Sequence, residues 1–257
     1  MIDLYAAPTS NGLRAKIMLE ECGLDYTLHH VNLAEGANQS DEYLAVNPMG
    51  LIPTIVDRDG KDGNPVTLSQ SMTILTYLAT KSGKFMPEHL AMDTIFWRNT
   101  MSIATDMTGV LMAIMTIGRM ENPHQPTMDD FGARFNRYLK YWDGLMATQK
   151  YAGADEVSIA DFAFYPVVYR AKAVVPQYTD GCPNIDRWYD EIGARPGVHH
   201  RPRGCGAKGL IHKERQLVCN STTLGYQFFG DGTGLSKSNL PNRTHASRAP
   251  TARGERQ

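Results

Sequence analysis

Hydrophobic and polar positions divide the chain into a mixed α/β part and a longer helical part. Over residues 1–82, short apolar runs alternate with segments of helical periodicity. Leu13, Ile17 and Leu19 recur at helical spacing ahead of Gly23, a residue type that commonly ends helices. The pattern predicts strands at 2–6, 26–31, 54–57 and 66–68, and helices at 11–23, 41–46 and 71–81.

The predicted order, βαβαββα, is typical of a thioredoxin-like fold. Two strand–helix units come first, and the turn-rich segment 57–64 then joins two strands as a hairpin before the last helix. Strand patterns are absent from the sequence that follows, where helical patterns cover 91–120, 127–148, 158–174 and 183–193. We therefore predict a thioredoxin-like domain over 1–82 and an all-helical domain over 90–200.

Residues 201–257 differ from the rest of the chain in composition. This segment has 10 basic and 3 acidic side chains, whereas residues 1–200 have 16 and 24. It is rich in glycine, serine, threonine, arginine and proline, and it shows little apolar periodicity. Because such a composition buries too little apolar surface to offset the entropy of ordering, we expect a basic, disordered tail.

Overall composition argues against several classes of function. The net charge of −1 provides no basic field for nucleic acid. The four cysteines are scattered, with neither the CxxC pairs of a zinc site nor the density of a disulfide framework. No apolar run reaches the roughly 18 residues of a membrane span, and the N-terminus lacks the features of a signal peptide. We expect a cytoplasmic protein with no bound metal and no membrane or nucleic-acid partner.

The first segment with candidate chemistry, residues 7–12, lies between the first strand and the first helix. The start of a helix presents unpaired N–H groups and partial positive charge, so it stabilises an anion such as a thiolate. Hydroxyl or amide donors from Thr9, Ser10 or Asn11 would lower the pKa of that thiolate further. Alternatively, these residues only cap the helix, as their types commonly do.

Two later segments add backbone groups that suit a bound peptide. In segment 47–56, a cis Ile52–Pro53 bond would turn the backbone of Ile52 outward to pair as a strand would, although most such bonds are trans. In segment 68–72, Gln70 and Ser71 open a helix whose free N–H groups suit a carboxylate. The alternative is that a serine in this segment is a plain N-cap.

Taken together, the order and spacing of these segments resemble the glutathione transferase family. The opening MIDLYAAPTSNG is similar to that of the bacterial Nu-class enzymes, relatives of the yeast prion-forming nitrogen regulator. Ser158 and Asp161 form the SxAD capping box that is a structural signature of this family. The resemblance implies a thioredoxin-like domain followed by a helical domain, glutathione as co-substrate and a homodimer.

Position by position, the resemblance implies specific contacts with glutathione. Thr9 and Asn11 match the donors that hold the glutathione sulfur, and Asn38 matches a polar residue that touches the glycyl end. Ile52 matches the residue whose backbone pairs with the cysteinyl part, beside a cis proline at Pro53.

The γ-glutamyl end would meet Gln70 and Ser71, which match residues that bind its carboxylate and amine. The family more often has glutamate at the position of Gln70, so we expect somewhat weaker glutathione binding here. Arg134 roughly matches an arginine that reaches glutathione in related enzymes.

Other residues are weaker candidates for the site. Tyr5 lies within a predicted strand and is expected in the core, and Ser10 ranks below Thr9 and Asn11 as a thiolate donor. The pair at 199–200, His-His, lacks further spaced ligands and is expected on the surface. Four methionines in the stretch 101–120 have near-helical spacing and suit either core packing or an apolar co-substrate pocket: Met107, Met112, Met115 and Met120.

The chain lacks a cysteine between Pro8 and Gly12, so the thiol chemistry there must belong to glutathione. A bound thiolate could attack a small electrophile, a disulfide or a peroxide. The Nu-class resemblance implies disulfide or peroxide reduction alongside transferase activity. The alternative is a non-catalytic binding or regulatory module, since transferase-like domains also serve that purpose.

Overall fold

The computed structural model describes residues 1–60 and 63–199. Its first half has the predicted order βαβαββα. The elements are β1 (Ile2–Ala6), α1 (Ser10–Cys22), β2 (Tyr26–His30), α2 (Asp41–Val46), β3 (Thr54–Asp57), β4 (Val66–Ser69) and α3 (Ser71–Ser82). Each predicted strand and helix of this half is present, with ends that differ from the prediction by one residue at most.

The four strands form one mixed sheet in the order β2-β1-β3-β4. Strand β1 runs parallel to β2 and antiparallel to β3, and β3 is antiparallel to β4. Helices α1 and α3 pack against each other and against the two central strands. Gly23 ends α1 in the left-handed conformation, as the sequence predicts, with φ of 72°.

The second half is helical throughout the part that the structure describes. It contains α4 (Glu88–Ala91), α5 (Thr94–Ser102), α6 (Thr108–Gly118), α7 (Gln125–Leu145), α8 (Ile159–Val174) and α9 (Pro183–Gly193). The helical pattern predicted at 91–120 corresponds to one continuous helix, Thr94–Gly118, which begins after Asp93 because Asp93 is its N-cap and accepts a hydrogen bond from the Ile95 N–H at 2.7 Å. The fold is thus a thioredoxin-like α/β half followed by an all-helical half.

A π-helical turn at Ile103–Met107 joins α5 to α6. The resulting helix, Thr94–Gly118, is long and apolar enough by length and composition to cross a membrane, with a mean hydropathy of 1.4. Its buried side chains nevertheless belong to the core shared with α7 and α8. We therefore interpret it as a core helix of the helical half, a class that passes the same test.

The methionines of the stretch 101–120 divide between core and surface. Met107 and Met115 are buried, as the packing interpretation predicts. Met112 and Met120 are 47% and 53% exposed, so they contribute little to the core. The predicted tail at 201–257 lies outside the described residues.

The start of α8 is organised around the buried carboxylate of Asp161. The predicted capping box is present, with Ser158 as N-cap and the Ser158 N–H donating to Asp161 Oδ2 at 2.9 Å. The other oxygen, Oδ1, accepts from the Ala152 N–H and from the Trp188 indole, both at 2.8 Å. Burial raises the pKa of Asp161, while these donors act in the opposite direction.

We expect Asp161→Asn to lower the free energy of unfolding by about 2–3 kcal/mol. An amide retains only one of the two carboxylate oxygens, so its NH₂ group must face a buried donor. Urea denaturation measures the effect, and Glu156→Gln is the control because Glu156 pairs with His89 on the surface. Equal stability of the two variants would contradict the structural role of Asp161.

Candidate functional site

The loop between β1 and α1 approaches the start of the helix very closely. A Cβ atom at Gly12 would lie 2.1 Å from the Ala7 carbonyl oxygen, so only glycine fits this position. Thr9 is the N-cap of α1, and its Oγ1 accepts a hydrogen bond from the Gly12 N–H at 3.1 Å. The capping interpretation of Thr9 is therefore correct. It is also compatible with a role toward a ligand, since capping uses a lone pair and leaves the hydroxyl proton free to donate.

Asn11 lies in the first turn of α1, and a hydrogen-bond network determines its orientation. Its Oδ1 accepts from Arg14 Nη1 at 2.6 Å and from Ser71 Oγ at 3.3 Å. The Nδ2 group has no acceptor among the described residues, so both of its protons are available. Asn11 and Ser71 are 60 residues apart in sequence, and the fold brings these two predicted glutathione contacts together.

Helix α3 begins next to this point with a residue in an unusual conformation. Gln70, its N-cap, has φ of 69° and ψ of 113°, a region that residues other than glycine seldom adopt. Such backbone strain is concentrated at functional sites, where the surrounding structure maintains it. Ser71 follows as the first residue of α3, where its backbone N–H has no intrahelical partner. The strain at Gln70 is a feature that the sequence pattern did not indicate.

The loop before β3 contains a cis peptide bond between Ile52 and Pro53, as the resemblance implies. Its backbone is held by side chains from α2 and the loop itself. The Leu51 carbonyl accepts from Tyr43 Oη at 2.6 Å and from Asn47 Nδ2 at 2.7 Å. Ile52 is half-buried beside this fixed point.

Asn38 belongs to the same loop system. Its Nδ2 donates to the Gly50 carbonyl at 2.8 Å. Gly50 has φ of 62°, and a Cβ there would lie 2.9 Å from the Asn38 carbonyl oxygen, so both conformation and space favour glycine. Asn38 thus supports the turn that precedes Ile52, and its side-chain carbonyl remains free of any described donor.

Arg134 lies apart from this group. It is on α7, where its Nη2 is 3.4 Å from Asp130 Oδ2 and its guanidinium lies 5.2 Å from the centre of the Phe131 ring. All the contacts described for Arg134 are within α7, so the structure does not join it to the starts of α1 and α3.

Tyr5 is half-buried on β1 and stacks on His29 with ring centres 4.5 Å apart.

Two arginines that sequence reasoning missed contact the site from within the protein. Arg14, on α1, is 1% exposed and donates to Asn11 and Ser71. Arg170, on α8, donates through Nη2 to the Pro8 carbonyl in the β1–α1 loop, and burial lowers its pKa. Their signal in the sequence was weak, since an arginine within a helix is more commonly a surface residue.

The cysteines of the described residues are poor candidates for chemistry. Cys22 and Cys182 are free and buried, and burial raises the pKa of both thiols. Within the same residues, no group of three or more histidine, cysteine or acidic side chains could hold a metal ion. His199 is exposed, and its neighbour at 200 lies outside the described residues.

Comparison with known proteins agrees with this arrangement. Residues 10–81 match the glutathione S-transferase N-terminal domain, and residues 107–196 match the C-terminal domain. The disulfide-bond oxidoreductase YfcG of Escherichia coli is 30% identical over 212 residues, which cover 77% of this chain and 93% of YfcG.

Two solved structures are similar in fold and sequence. A glutathione transferase family member from Pseudomonas fluorescens, with two glutathione bound, has a TM-score of 0.71 and 28% identity, covering 77% of this chain and 90% of its own. A glutathione transferase from Pseudomonas putida, with one glutathione disulfide bound per subunit, has a TM-score of 0.67 and 29% identity, covering 80% and 92%. By its two matched domains and its likeness to these proteins, the chain belongs to the glutathione S-transferase family.

Proposed function

We propose that this protein is a cytoplasmic glutathione-dependent enzyme that holds glutathione as a thiolate at the start of α1. The observation that carries the proposal is the pair of free donors there, the Thr9 hydroxyl and the Asn11 Nδ2 group. Both lie at the positive end of a helix, where an anion is favoured. In this proposal the domain over 1–82 binds glutathione, and the helical domain over 90–200 shapes the pocket for the second substrate.

The remaining glutathione contacts follow from the loop geometry. The backbone of Ile52, next to Pro53, would pair with the cysteinyl residue, and Asn38 would meet the glycyl end. Ser71 and Gln70 would bind the γ-glutamyl end at the start of α3, where the free N–H groups suit its carboxylate. Arg134 remains a prediction from the resemblance alone, because its described contacts are within α7.

The chemistry that we propose is reduction of a disulfide or peroxide, together with transfer of glutathione to small electrophiles. The thiolate attacks one sulfur of a disulfide, forms a mixed disulfide and releases the other sulfur as a thiolate. A second glutathione thiolate then attacks the glutathionyl sulfur, which yields glutathione disulfide and the second substrate thiolate. The likeness to YfcG and to structures with two glutathione or glutathione disulfide supports this reaction.

We expect Thr9→Ala and Asn11→Ala each to raise the pKa of the bound glutathione thiol by about one unit. A hydrogen bond to a charged group is worth about 1.5–3 kcal/mol, and one pKa unit corresponds to about 1.4 kcal/mol. Ultraviolet titration of the enzyme–glutathione complex measures this pKa. Ser10→Ala is the matched control, and we expect the wild-type value for it.

Turnover distinguishes the enzyme from a non-catalytic module. We expect the wild-type protein to be retained on immobilised glutathione and to reduce a small disulfide or peroxide, or to conjugate an aryl halide. Neither retention nor turnover in that panel would favour the binding module instead. A thiolate pKa unchanged in both alanine variants would contradict the assignment of Thr9 and Asn11.

We expect Gln70→Glu to lower the KM for glutathione about threefold or more. The added carboxylate would pair with the γ-glutamyl ammonium in a charge-assisted hydrogen bond. Steady-state kinetics with varied glutathione measures the change. A glutathione analogue without the α-amino group is the control, because it should show no such gain; an equal gain with this analogue would contradict the pairing.

We also propose a homodimer, supported by an apolar groove of about 500 Å³ between the two halves. The lining residues come from β4, α3 and α5: Leu68, Met72, Thr73, Thr76, Tyr77 and Met101. Met101 is 40% exposed in this groove, and a partner subunit would cover it together with the neighbouring apolar side chains.

We expect Met101→Asp to convert the dimer to a monomer, because a carboxylate would be buried without a partner in the interface. Size-exclusion chromatography with light scattering measures the mass in solution. Met120→Asp is the control, since Met120 is 53% exposed and does not line the groove. A wild-type protein that is monomeric at all concentrations would refute the dimer.

A further inference from the structure

Arg14 is a fully buried arginine at the junction of four helices. Its Nε donates to the Ala163 carbonyl of α8 at 2.8 Å, and its Nη2 donates to Thr108 Oγ1 of α6 at 2.8 Å. Its Nη1 donates to Asn11 Oδ1 at 2.6 Å and to Ser71 Oγ of α3 at 3.2 Å. One side chain thus joins the helical half to two residues at the start of α1 and of α3.

None of the groups that accept from Arg14 carries a charge. They are a peptide carbonyl, an amide and two hydroxyls, contributed by every helix that contacts the guanidinium. A buried cation without an anion is costly, because hydrogen bonds replace only part of its hydration. Burial accordingly lowers the pKa of Arg14 to about 10, which still leaves it charged at neutral pH. Among the described residues, no anion therefore pairs with this positive charge.

The contact with Arg14 determines which way the Asn11 amide faces. The guanidinium can only donate, so the atom of Asn11 that lies 2.6 Å from Nη1 must be the carbonyl oxygen. The Ser71 hydroxyl donates to the same oxygen. The Nδ2 group is consequently turned away from Arg14 and Ser71, and its protons remain available to another acceptor.

The π-helical turn also fixes the position of Arg14, through Thr108. Thr108 is the residue that follows this turn, and its Oγ1 donates to the Ile103 carbonyl at 2.8 Å. The same oxygen accepts from Arg14 Nη2. A π-turn changes the direction of the side chains that follow it, and such turns are common at functional sites. The helical half thus supplies a fixed acceptor for one branch of the guanidinium.

We propose that Arg14 is a positioning residue for the glutathione thiolate: it orients the Asn11 amide toward the sulfur and supplies a buried positive charge that the bound anion neutralises. This inference rests on the proposed function, because it requires a thiolate beside Asn11. Arg14 acts through Asn11 and through the electrostatic potential at the site, without touching the sulfur. The γ-glutamyl carboxylate beside Ser71 would benefit from the same charge.

The test compares Arg14→Met and Arg14→Lys with the wild-type protein. Without the guanidinium the Asn11 amide is free to turn, so we expect Arg14→Met to raise the pKa of the bound glutathione thiol by about one unit or more. Arg14→Lys retains the charge but cannot reach all four acceptors, so we expect an intermediate value. Ultraviolet titration measures each pKa, and steady-state kinetics measures the KM for glutathione.

A double-mutant cycle with Asn11→Ala tests whether Arg14 acts through Asn11. We expect the double variant Arg14→Met/Asn11→Ala to shift the pKa by clearly less than the sum of the two single shifts, since the residues share one interaction. Full additivity would contradict the positioning role. A wild-type pKa and a wild-type KM in both Arg14 variants would overturn the proposal entirely.

Thr108→Val provides a milder change in case the Arg14 variants fail to fold. It removes the acceptor of Nη2 while leaving Arg14 in the chain, so we expect a smaller rise in the same pKa, and Thr108→Ser should restore the wild-type value. No rise in Thr108→Val would count against the proposal. If wild-type protein itself shows no depressed glutathione pKa, the proposed function fails; if only the variants show no change, the role of Arg14 fails alone.

Discussion

Helix α1 packs against the sheet, α3 and α8 at the same time, and this burial forces its buried charged side chains to find specific partners. Glu20 accepts from Tyr26 Oη at 2.8 Å, and Glu21 accepts from Arg195 Nη2 at 2.6 Å. Arg14 finds its partners in α3, α6 and α8. An unpaired polar group in this position would cost several kcal/mol. These contacts therefore fix the position of the helical half relative to α1. The start of the same helix is the part left free for a ligand.

Most of the fold could be predicted from local pattern, because its signals lie within a few residues of one another. The strand before Pro8, the glycine at the end of α1 and the capping box at Ser158 each depend on neighbouring residues only. The N-cap at Asp93 and the π-turn before Thr108 were missed. Both lie inside a continuous apolar periodicity, which predicts a helix but indicates neither its first residue nor a π-turn within it.

The candidate site was predictable in part, for a different reason. Thr9, Asn11 and Ser71 stood out by residue type and by order along the chain. The hydrogen-bond network that connects them could not be predicted, because Arg14 donates to acceptors that lie 57, 94 and 149 residues away in sequence. Contacts between residues so distant in sequence cannot be predicted from local periodicity or from composition. Arg134 stays a prediction from the resemblance, since its described contacts, with Asp130 and Phe131, are within α7 and do not test a contact with glutathione.

Structural roles and the proposed ligand-binding roles coincide at two positions, Thr9 and Asn11. Thr9 caps α1 by accepting a hydrogen bond from the Gly12 N–H, and its hydroxyl proton remains free to donate. The Oδ1 atom of Asn11 accepts a hydrogen bond from Arg14, and the amide protons of Asn11 remain free. In each case the side chain accepts a hydrogen bond that stabilises the fold, and its own donor proton has no acceptor among the described residues. Because this hydrogen bond holds the side chain in place, the side chain cannot readily rotate to reach another acceptor. Its free donor is therefore already oriented before a ligand binds.

The chain has no cysteine between Pro8 and Gly12, so in the proposed disulfide reaction a second glutathione thiolate resolves the mixed disulfide. The buried thiols of Cys22 and Cys182 have raised pKa values, so neither supplies a reactive thiolate to this site. The proposed disulfide reaction consumes two glutathione molecules, one that forms the mixed disulfide and one that resolves it. Conjugation to an electrophile needs only one glutathione, so the number of glutathione molecules consumed in each turnover separates the two reactions.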